Sequence, residues 1–235
     1  MTHSRVKEIL VSKTFVGCLP ESVINDLIRS GQNKLYPADE ALCHRGDPGH
    51  SAMLVLSGRL KVSNVTGDGR EITLNYLGIG DLVGEIALLD NQPRTANVTA
   101  LEPSEVFVLQ RRDLLPVLQT NPDAMFEVVK ALCAKLRRAS AMIEDGTHLM
   151  PARVGKALLR LAEQHGVRTN NGIRIELRLS QTEIGNYCGL TRANVNRQIQ
   201  AFTKDGLLEI NAHRITIIDE PRLTAIAQGL EHRPA

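Results

Sequence analysis

The 235-residue sequence has no long hydrophobic run. No stretch approaches the roughly 18 consecutive apolar residues that make a transmembrane helix a candidate. The first ten residues, MTHSRVKEIL, also lack the apolar segment of a secretory signal peptide. These two absences predict a cytoplasmic protein that does not bind a membrane.

Cysteine is scarce, and the four cysteines are far apart in the sequence, at Cys18, Cys43, Cys133 and Cys188. They form no Cys-x-x-Cys pair and no cysteine–histidine cluster, which argues against a disulfide framework, a zinc site or an iron–sulfur cluster. No Ser, His or Cys lies in a recognisable nucleophile or metal-binding pattern. The sequence therefore predicts a protein that is not an enzyme and holds no metal.

Charge is distributed unevenly along the chain. Residues 1–149 contain 16 Lys and Arg against 18 Asp and Glu, a net charge of −2. Residues 150–235 contain 12 against 8, a net charge of +4. Because a basic region is typical of proteins that contact nucleic acid, the C-terminal third is the candidate for binding DNA.

The secondary-structure signals change in character along the chain. Residues 6–31 predict two short helices, the second ended by Gly31. Between Asn33 and Gln110, short β-rich runs such as AMLVLSG and EITLNYL recur between glycine–aspartate turns, a pattern typical of a jelly roll or barrel. Asn121 is then the predicted cap of a long helix.

One stretch, GEIALLDNQPRTANV at residues 84–98, has residues suited to binding an anion. Gly84 allows a ligand to approach the backbone, and the helical turn after it has free N–H groups. Because a phosphate would repel the carboxylate of Glu85, we assign that side chain to the hydroxyls of a ribose. Arg94 supplies the counter-charge, since its guanidinium can contact two phosphate oxygens at once.

The whole run supports this interpretation better than any single residue does. A glycine–glutamate pair is also common at a charged helix start, and a lone arginine is commonly a solvated side chain. The predicted pocket residues of this stretch are Gly84, Glu85, Ile86, Ala87, Arg94, Thr95 and Ala96.

The long helix has a heptad-like seam. Its apolar positions alternate in spacings of four and three, at Met125, Val129, Leu132, Leu136, Ala139 and Ile143. Such a seam keeps one face toward a partner helix and predicts a homodimer. The alternative is a helix packed on its own barrel. The seam ends near Asp145 and Gly146, where we predict a hinge.

Residues 180–204 have the pattern of two helices joined by a glycine turn. Ser180 to Glu183 fit a capping box, Gly189 makes the turn, and Thr191 caps a helix to about Lys204. Its apolar positions face inward, which leaves an exposed face of Arg192, Ala193, Asn196, Arg197 and Gln200. This pattern predicts a helix-turn-helix, whose second helix enters the major groove of DNA.

Two further runs predict a hairpin of the kind called a wing, at residues 207–210 and 214–218. A helix opened by Pro151, a loop over 166–172 and a strand over 173–179 precede the helix-turn-helix.

These parts, in this order, resemble the cyclic-AMP receptor protein and fumarate–nitrate regulator family of bacterial transcription factors. Residues 84–98 are similar to its phosphate-binding cassette, G-E-x-A-L-L-x-x-x-P-R-x-A-x-V, almost position by position. The clustered N-terminal cysteines of the redox-sensing branch are absent. The resemblance therefore favours the branch that responds to cyclic AMP.

The resemblance implies an α+β fold in three parts: a cyclic-nucleotide-binding jelly-roll barrel over 1–120, a dimerisation helix and hinge over 121–146, and a winged helix-turn-helix over 147–235. Cyclic AMP or cyclic GMP would be the allosteric ligand. Double-stranded palindromic DNA, a second copy of the chain and RNA polymerase would be the partners. The implied DNA-binding residues are Ser180, Gln181, Thr191, Arg192, Ala193, Asn194, Asn196 and Arg197.

Two positions depart from the family pattern. The dimerisation helix carries Ala139 and Ser140 where the family has a base-contacting Thr followed by Ser or Asn. This change puts adenine recognition in doubt. In the recognition helix the usual Arg-Glu is Arg192 and Ala193, and a methyl group suits thymine rather than cytosine.

Two other functions stay open at this point. One is a regulator of the same fold that responds to another small ligand. The other is a cyclic-nucleotide-binding regulatory subunit without DNA specificity.

Overall fold

A computed structural model describes residues 3–211 and 214–230. The chain divides into two compact units, residues 1–137 and 138–235. Within the described ranges, no helix has the length and apolar character needed to cross a membrane.

The first unit begins with the two predicted helices, α1 (His3–Lys13) and α2 (Glu21–Ser30), joined by a short 3-10 turn (Phe15–Cys18). Thr14 begins that turn, because its hydroxyl accepts a hydrogen bond from the Val16 N–H at 3.1 Å. α2 ends at Gly31, as predicted.

The strands of this unit form two antiparallel sheets. They are β1 (Gln32–Tyr36), β2 (Ala41–Cys43), β3 (Ser51–Ser57), β4 (Leu60–Val65), β5 (Glu71–Leu77), β6 (Leu82–Val83), β7 (Asn97–Ala100) and β8 (Ser104–Gln110). One sheet has the order β1-β8-β3-β6 and the other β2-β7-β4-β5. A short helix, α3 (Glu85–Asp90), connects β6 to β7. The predicted jelly-roll barrel is confirmed.

Alternation along β3 shows where the two cores lie. Leu54 and Leu56 pack with α1, α2 and the following helices, whereas Met53 and Val55 belong to a cluster with residues of both sheets. A strand residue and its neighbour point to opposite faces, so β3 is covered on both sides. The barrel interior is the second of these cores.

Two helices follow the barrel, α4 (Arg111–Thr120) and α5 (Pro122–Asp145). α5 begins at the predicted position. The side chain of Asn121, predicted as its cap, bonds backward instead: its Nδ2 donates to the carbonyl oxygen of Val117 at 2.7 Å.

The predicted seam of α5 is partly exposed and partly packed on the protein's own core. Met125 and Leu132 pack against the chain's own helical core. Four members of the predicted seam are exposed, namely Val129, Leu136, Ala139 and Ile143. The exposed positions that repeat at spacings of three and four are Phe126, Val129, Cys133, Leu136, Ser140 and Ile143, which we call the free seam. Leu136 and Ile143 are 68% and 78% exposed.

The second unit contains α6 (Met150–His165), β9 (Gly166–Thr169), β10 (Gly172–Ile175), α7 (Gln181–Cys188), α8 (Arg192–Lys204), β11 (Leu208–Asn211), β12 (Arg214–Ile217) and α9 (Glu220–Ala227). Its sheet has the order β11-β12-β10-β9. The wing hairpin is present as β11 and β12, and its connecting residues Ala212 and His213 lie outside the described residues.

Two predictions for this unit were wrong. Residues 166–169 form a strand rather than a loop, because they pair antiparallel with β10. The strand predicted over 173–179 ends at Ile175, although Leu177 and Leu179 beyond it are still buried.

Candidate ligand pocket and DNA-binding surface

Gly84 precedes α3 in a left-handed backbone conformation, with φ of 88°. A side chain at this position would be strained, because non-glycine residues rarely adopt positive φ. A Cβ added there would also overlap the guanidinium of Arg94. The structure thus brings Gly84 and Arg94 together, as the sequence predicted.

Arg94 is buried, with only 7% of its surface exposed. Its Nη1 donates to the Gly84 carbonyl oxygen at 3.1 Å, and its Nη2 donates to the Ser51 hydroxyl at 2.9 Å. The backbone is fixed by the turn before β3, because Arg94 N donates to Asp47 O at 2.8 Å and Arg94 O accepts from Gly46 N at 2.9 Å.

The charge of Arg94 is not neutralised by the surrounding protein. Both oxygens that it contacts are neutral, and no carboxylate pairs with it among the residues that the structure describes. Its Nε is buried and has no hydrogen-bond partner within the same residues. A buried, uncompensated cation is costly and is normally matched by an anion.

The field of Arg94 reaches Cys43 on β2. Burial raises the pKa of this thiol, and the guanidinium only partly offsets that effect. Cys43 is therefore a neutral thiol.

Glu85, the other predicted ligand residue, is 6% exposed and already has a partner. Lys135 of α5 donates to Glu85 Oε1 at 2.6 Å and to the Leu82 carbonyl oxygen at 3.2 Å. Lys135 was not among the residues predicted from the sequence. A signal was present, because Lys135 follows the stripe of Ala124, Val128 and Leu132 that faces the core, and a charge on such a stripe needs a buried partner.

The remaining cassette residues differ in their exposure. Ala87 and Ala96 are buried, whereas Thr95 is exposed and Ile86 is 37% exposed. The Thr95 carbonyl oxygen accepts from Nδ2 of Asn64 at 3.2 Å. This contact places β4 beside the cassette.

Two amide oxygens in the barrel belong to residues that were not predicted as part of the pocket. Oδ1 of Asn64 and Oδ1 of Asn75 are buried and lack a hydrogen-bond partner within the described residues. Buried polar atoms are normally paired with protein, water or a ligand. Of the two residues, Asn64 also contacts the cassette, through Thr95.

The helix-turn-helix is held by several specific contacts. Ser180 N donates to Glu183 Oε2 at 2.7 Å and Glu183 N donates to Ser180 Oγ at 3.2 Å, which confirms the predicted capping box. Gly189 makes the turn in a left-handed conformation, with φ of 66°. Arg153 of α6, which sequence reasoning missed, donates from Nη2 to the carbonyl oxygens of Cys188 at 2.7 Å and Gly189 at 3.0 Å.

The recognition helix α8 has the predicted inner and outer faces. Thr191 caps it by accepting from Asn194 N at 3.3 Å. Val195, Ile199 and Phe202 are at most 1% exposed. The outer face presents the exposed residues Arg192, Ala193 and Arg197.

The predicted DNA-binding residues differ in whether another side chain of the protein already contacts them. Neither Arg192 nor Arg197 pairs with a carboxylate in the described part of the chain, so both guanidinium groups are available for phosphates or bases. Gln181 and Asn196 instead contact each other, because Gln181 Nε2 donates to Asn196 Oδ1 at 2.9 Å.

A metal centre is not evident in this arrangement. Among residues 3–211 and 214–230, His, Cys, Asp and Glu form no group of three or more that could hold a metal ion.

Comparison with known proteins identifies a known domain family within each of the two units. Residues 33–121 match the family of the cyclic nucleotide-binding domain, and residues 152–226 match that of the Crp-like helix-turn-helix domain. The chain is 31% identical to the cyclic AMP receptor protein of Thermus thermophilus over 93% of this chain and 98% of the relative. It is 28% identical to a CRP-like cAMP-activated global transcriptional regulator of Mycobacterium tuberculosis, over 94% and 99% of the two chains.

The fold is shared with a solved structure as well. FixK2 from Bradyrhizobium japonicum superposes with a TM-score of 0.74 at 21% identity, over 87% of this chain and 99% of the other. Several relatives are named as transcriptional regulators, and none of those named here is an enzyme. Domain content, full-length similarity and fold agree: this chain belongs to the CRP/FNR family of transcription regulators.

Proposed function

We propose that this chain is a homodimeric regulator that binds a cyclic nucleotide in the barrel and, with the ligand bound, a palindromic DNA site. The observation that carries the proposal is the buried Arg94, whose charge has no carboxylate partner in the described structure. A cyclic phosphodiester supplies one negative charge and two free oxygens. A guanidinium matches both the charge and the spacing of those oxygens.

The other contacts of the pocket follow from this anchor. Thr95 and Ala96 adjoin Arg94 and would add donors to the phosphate. Glu85 is fixed by Lys135 through one oxygen and would accept from the ribose hydroxyls with its remaining acceptor sites. Several relatives are named for activation by cyclic AMP or as receptors for it, which supports cyclic AMP as the ligand.

The Glu85–Lys135 contact suggests how ligand binding affects α5. A hydroxyl that bonds to Glu85 changes the electrostatic surroundings of Lys135, which lies on the long helix. A ligand shifts an equilibrium only through different affinities for two states. We propose that the nucleotide favours the arrangement of α5 that is competent to bind DNA.

The free seam of α5 would join two copies of the chain. Val129, Leu136 and Ile143 are 43%, 68% and 78% exposed, and they repeat every seven residues as in a helix that pairs with another helix. Such a dimer would present two recognition helices to half-sites one helical turn apart. We retain residues 1–120, 121–146 and 147–235 as the ligand-binding, dimerisation and DNA-binding parts.

The proposal also covers the protein partner of the regulator and its location in the cell. RNA polymerase is the expected protein partner of a regulator that binds promoter DNA. Because bacterial DNA lies in the cytoplasm, we place the protein there.

The Crp-like helix-turn-helix match argues against a regulatory subunit without DNA specificity.

The proposal predicts weak discrimination between cyclic AMP and cyclic GMP. Ala139 lacks the hydroxyl that would contact the base, and one hydrogen bond contributes about 1 kcal/mol, or roughly fivefold in affinity. We therefore expect titration calorimetry to give dissociation constants for the two nucleotides within about tenfold of each other. Ala139→Thr should widen the gap in favour of cyclic AMP. Several-hundredfold discrimination that is unchanged in Ser140→Ala would contradict this prediction.

The free seam can be tested through Cys133, which is exposed at its centre. In a parallel two-fold pair, equivalent seam residues face each other, within the distance over which a disulfide can form. Diamide should therefore oxidise the two Cys133 thiols to one disulfide, being itself reduced to the hydrazine, and give a covalent dimer on a non-reducing gel. The dimer should persist in Cys18→Ser, which removes another exposed thiol, and disappear in Cys133→Ser. Cross-linking through Cys18 alone would rule out this seam.

A further inference from the structure

The side chains of Gln181 and Asn196 form a bonded pair on the DNA-binding surface. Gln181 is the first residue of α7 and Asn196 lies in the second turn of α8. Nε2 of Gln181 donates to Oδ1 of Asn196 at 2.9 Å. Both side chains are partly exposed, so the pair lies at the surface and not in the core.

The helices that carry this pair are held rigidly with respect to each other. The capping box fixes the backbone at Ser180, immediately before Gln181. Arg153 bonds to both carbonyl groups of the turn between the helices. A Cβ on Gly185 would approach the Leu190 carbonyl oxygen to 2.7 Å, so α7 lies directly against that turn. The distance between the two carboxamides is therefore set by the fold.

The bond also fixes which polar atoms stay free. Because Gln181 donates to Oδ1, the Asn196 amide is oriented with Nδ2 on the other side, as a free donor. Oε1 of Gln181 takes no part in this bond and is left as an acceptor. One donor and one acceptor are thus presented side by side, from two different helices.

We infer that Gln181 and Asn196 act together as one reading group for adenine. Adenine presents an acceptor, N7, and a donor, N6–H, in the major groove, whereas guanine presents two acceptors and cytosine only a donor. Nδ2 of Asn196 would donate to N7, and Oε1 of Gln181 would accept from N6–H. Gln181 is then a specificity-determining residue, which sets the orientation of Asn196 as well as contacting the base. The inference rests on the proposed palindromic DNA binding.

Changing Gln181 to glutamate should replace the presented donor and acceptor by two acceptors. A carboxylate cannot donate to Oδ1, so the Asn196 amide must turn over and donate from Nδ2 to the glutamate. Both the outward atom of Asn196 and the free carboxylate oxygen are then acceptors. Two acceptors match the exocyclic amine of cytosine and reject the N7 of adenine.

The experiment is a selection of binding sites from random duplexes by the full-length chain, with cyclic AMP and, in parallel, with cyclic GMP. The wild type should enrich a two-fold symmetric sequence with one A·T pair per half-site that depends on Asn196. Gln181→Glu should replace that pair by a C·G pair, with a change in relative affinity of about 10- to 100-fold in competition binding. The position specified by Arg197 should stay unchanged, as an internal reference.

A matched control separates the specific effect from added charge. Gln200→Glu places the same new charge on the exposed face of α8, while the Asn196 carboxamide remains bonded to Gln181. It should weaken binding to all sequences in a salt-dependent way without altering the preferred base. Recovery of the same A·T pair by Gln181→Glu, with the wild-type palindrome intact, would overturn the inference and leave the proposed function standing. Failure of the wild type to enrich any symmetric sequence would count against both.

Discussion

Replacing Arg94 with leucine should abolish cyclic-nucleotide binding and leave the free protein as stable as the wild type or more so. The guanidinium is buried, its Nε has no partner, and no carboxylate balances it in the described structure. Its removal therefore relieves an unfavourable buried charge in the free protein. With ligand present, the same change deletes a charge-assisted contact of on the order of 2 to 5 kcal/mol.

Titration calorimetry with cyclic AMP and thermal unfolding with and without the nucleotide test this prediction. Wild-type protein should show a ligand-dependent rise in Tm that Arg94→Leu lacks. Arg45→Leu is the matched control, because Arg45 is exposed and only its backbone N–H contacts the nearby Asn97 side chain. Wild-type affinity in Arg94→Leu would refute the pocket. A fall in Tm of the free variant would show that Arg94 is instead a structural residue.

The parts of this site that were predictable from sequence are local in the chain. Gly84, Glu85 and Arg94 lie within one short stretch, so residue type and spacing were enough to predict them as candidate ligand residues. The capping box and the faces of α8 were predictable for the same reason, because a helix period fixes which residues share a face. Each of these predictions needed fewer than two dozen consecutive residues.

The parts that were not predictable depend on contacts between distant residues. Ser51 and Lys135 reach the cassette from 43 and 50 residues away. The oxygen of Asn75 becomes significant only because the fold leaves it buried without a partner. Periodicity could show that Lys135 needs a buried partner, but not that the partner is Glu85. The contact of Ser51 and the burial of Asn75 cannot be read from residue type or periodicity at all.

The seam predicted for α5 was only partly correct, for a different reason. The helix carries two apolar stripes, one through Ala124 and Val128 toward the core and one through Val129 and Leu136 toward solvent. Periodicity detects both stripes but cannot decide which one faces the chain's own core. The predicted seam combined members of each.

The hinge was predicted at Asp145 and Gly146, where contacts with other helices also matter. Asp145 is 7% exposed and forms ion pairs with Arg160 and with Lys156, the latter at 3.1 Å. The guanidinium of Arg160 in turn lies 5.7 Å from the ring centre of Tyr187 in α7. The last residue of α5 is therefore held by α6, and through Arg160 it is linked to the first helix of the helix-turn-helix. These contacts hold Asp145 within the C-terminal unit, and the hinge near Asp145 and Gly146 stays a prediction.

Replacing Asp145 with alanine should strongly destabilise the C-terminal unit. The change leaves two mostly buried cations side by side without a counter-charge, and breaking such a cluster from one side costs on the order of 3 kcal/mol. Hydrogen exchange of α6 and α8 amides, followed with increasing urea, measures this loss in the unit concerned. Glu163→Ala, at an exposed position of α6, removes a carboxylate without touching the cluster and should have little effect.

The pH dependence of the unfolding free energy shows whether Asp145 stabilises the unit through its ion pairs or through packing. Burial raises the pKa of Asp145, but hydrogen bonds from Arg160 and Lys156 outweigh burial and lower it below its usual value. A carboxylate with a lowered pKa stabilises the fold above the pKa of the unfolded chain, about 3.9, and loses that effect as the pH falls through the folded pKa. The difference in unfolding free energy between wild type and Asp145→Ala should therefore be constant from pH 7 to about 5 and shrink below about 4. A difference that stayed the same down to pH 3 would mean that Asp145 acts through shape and not through its charge.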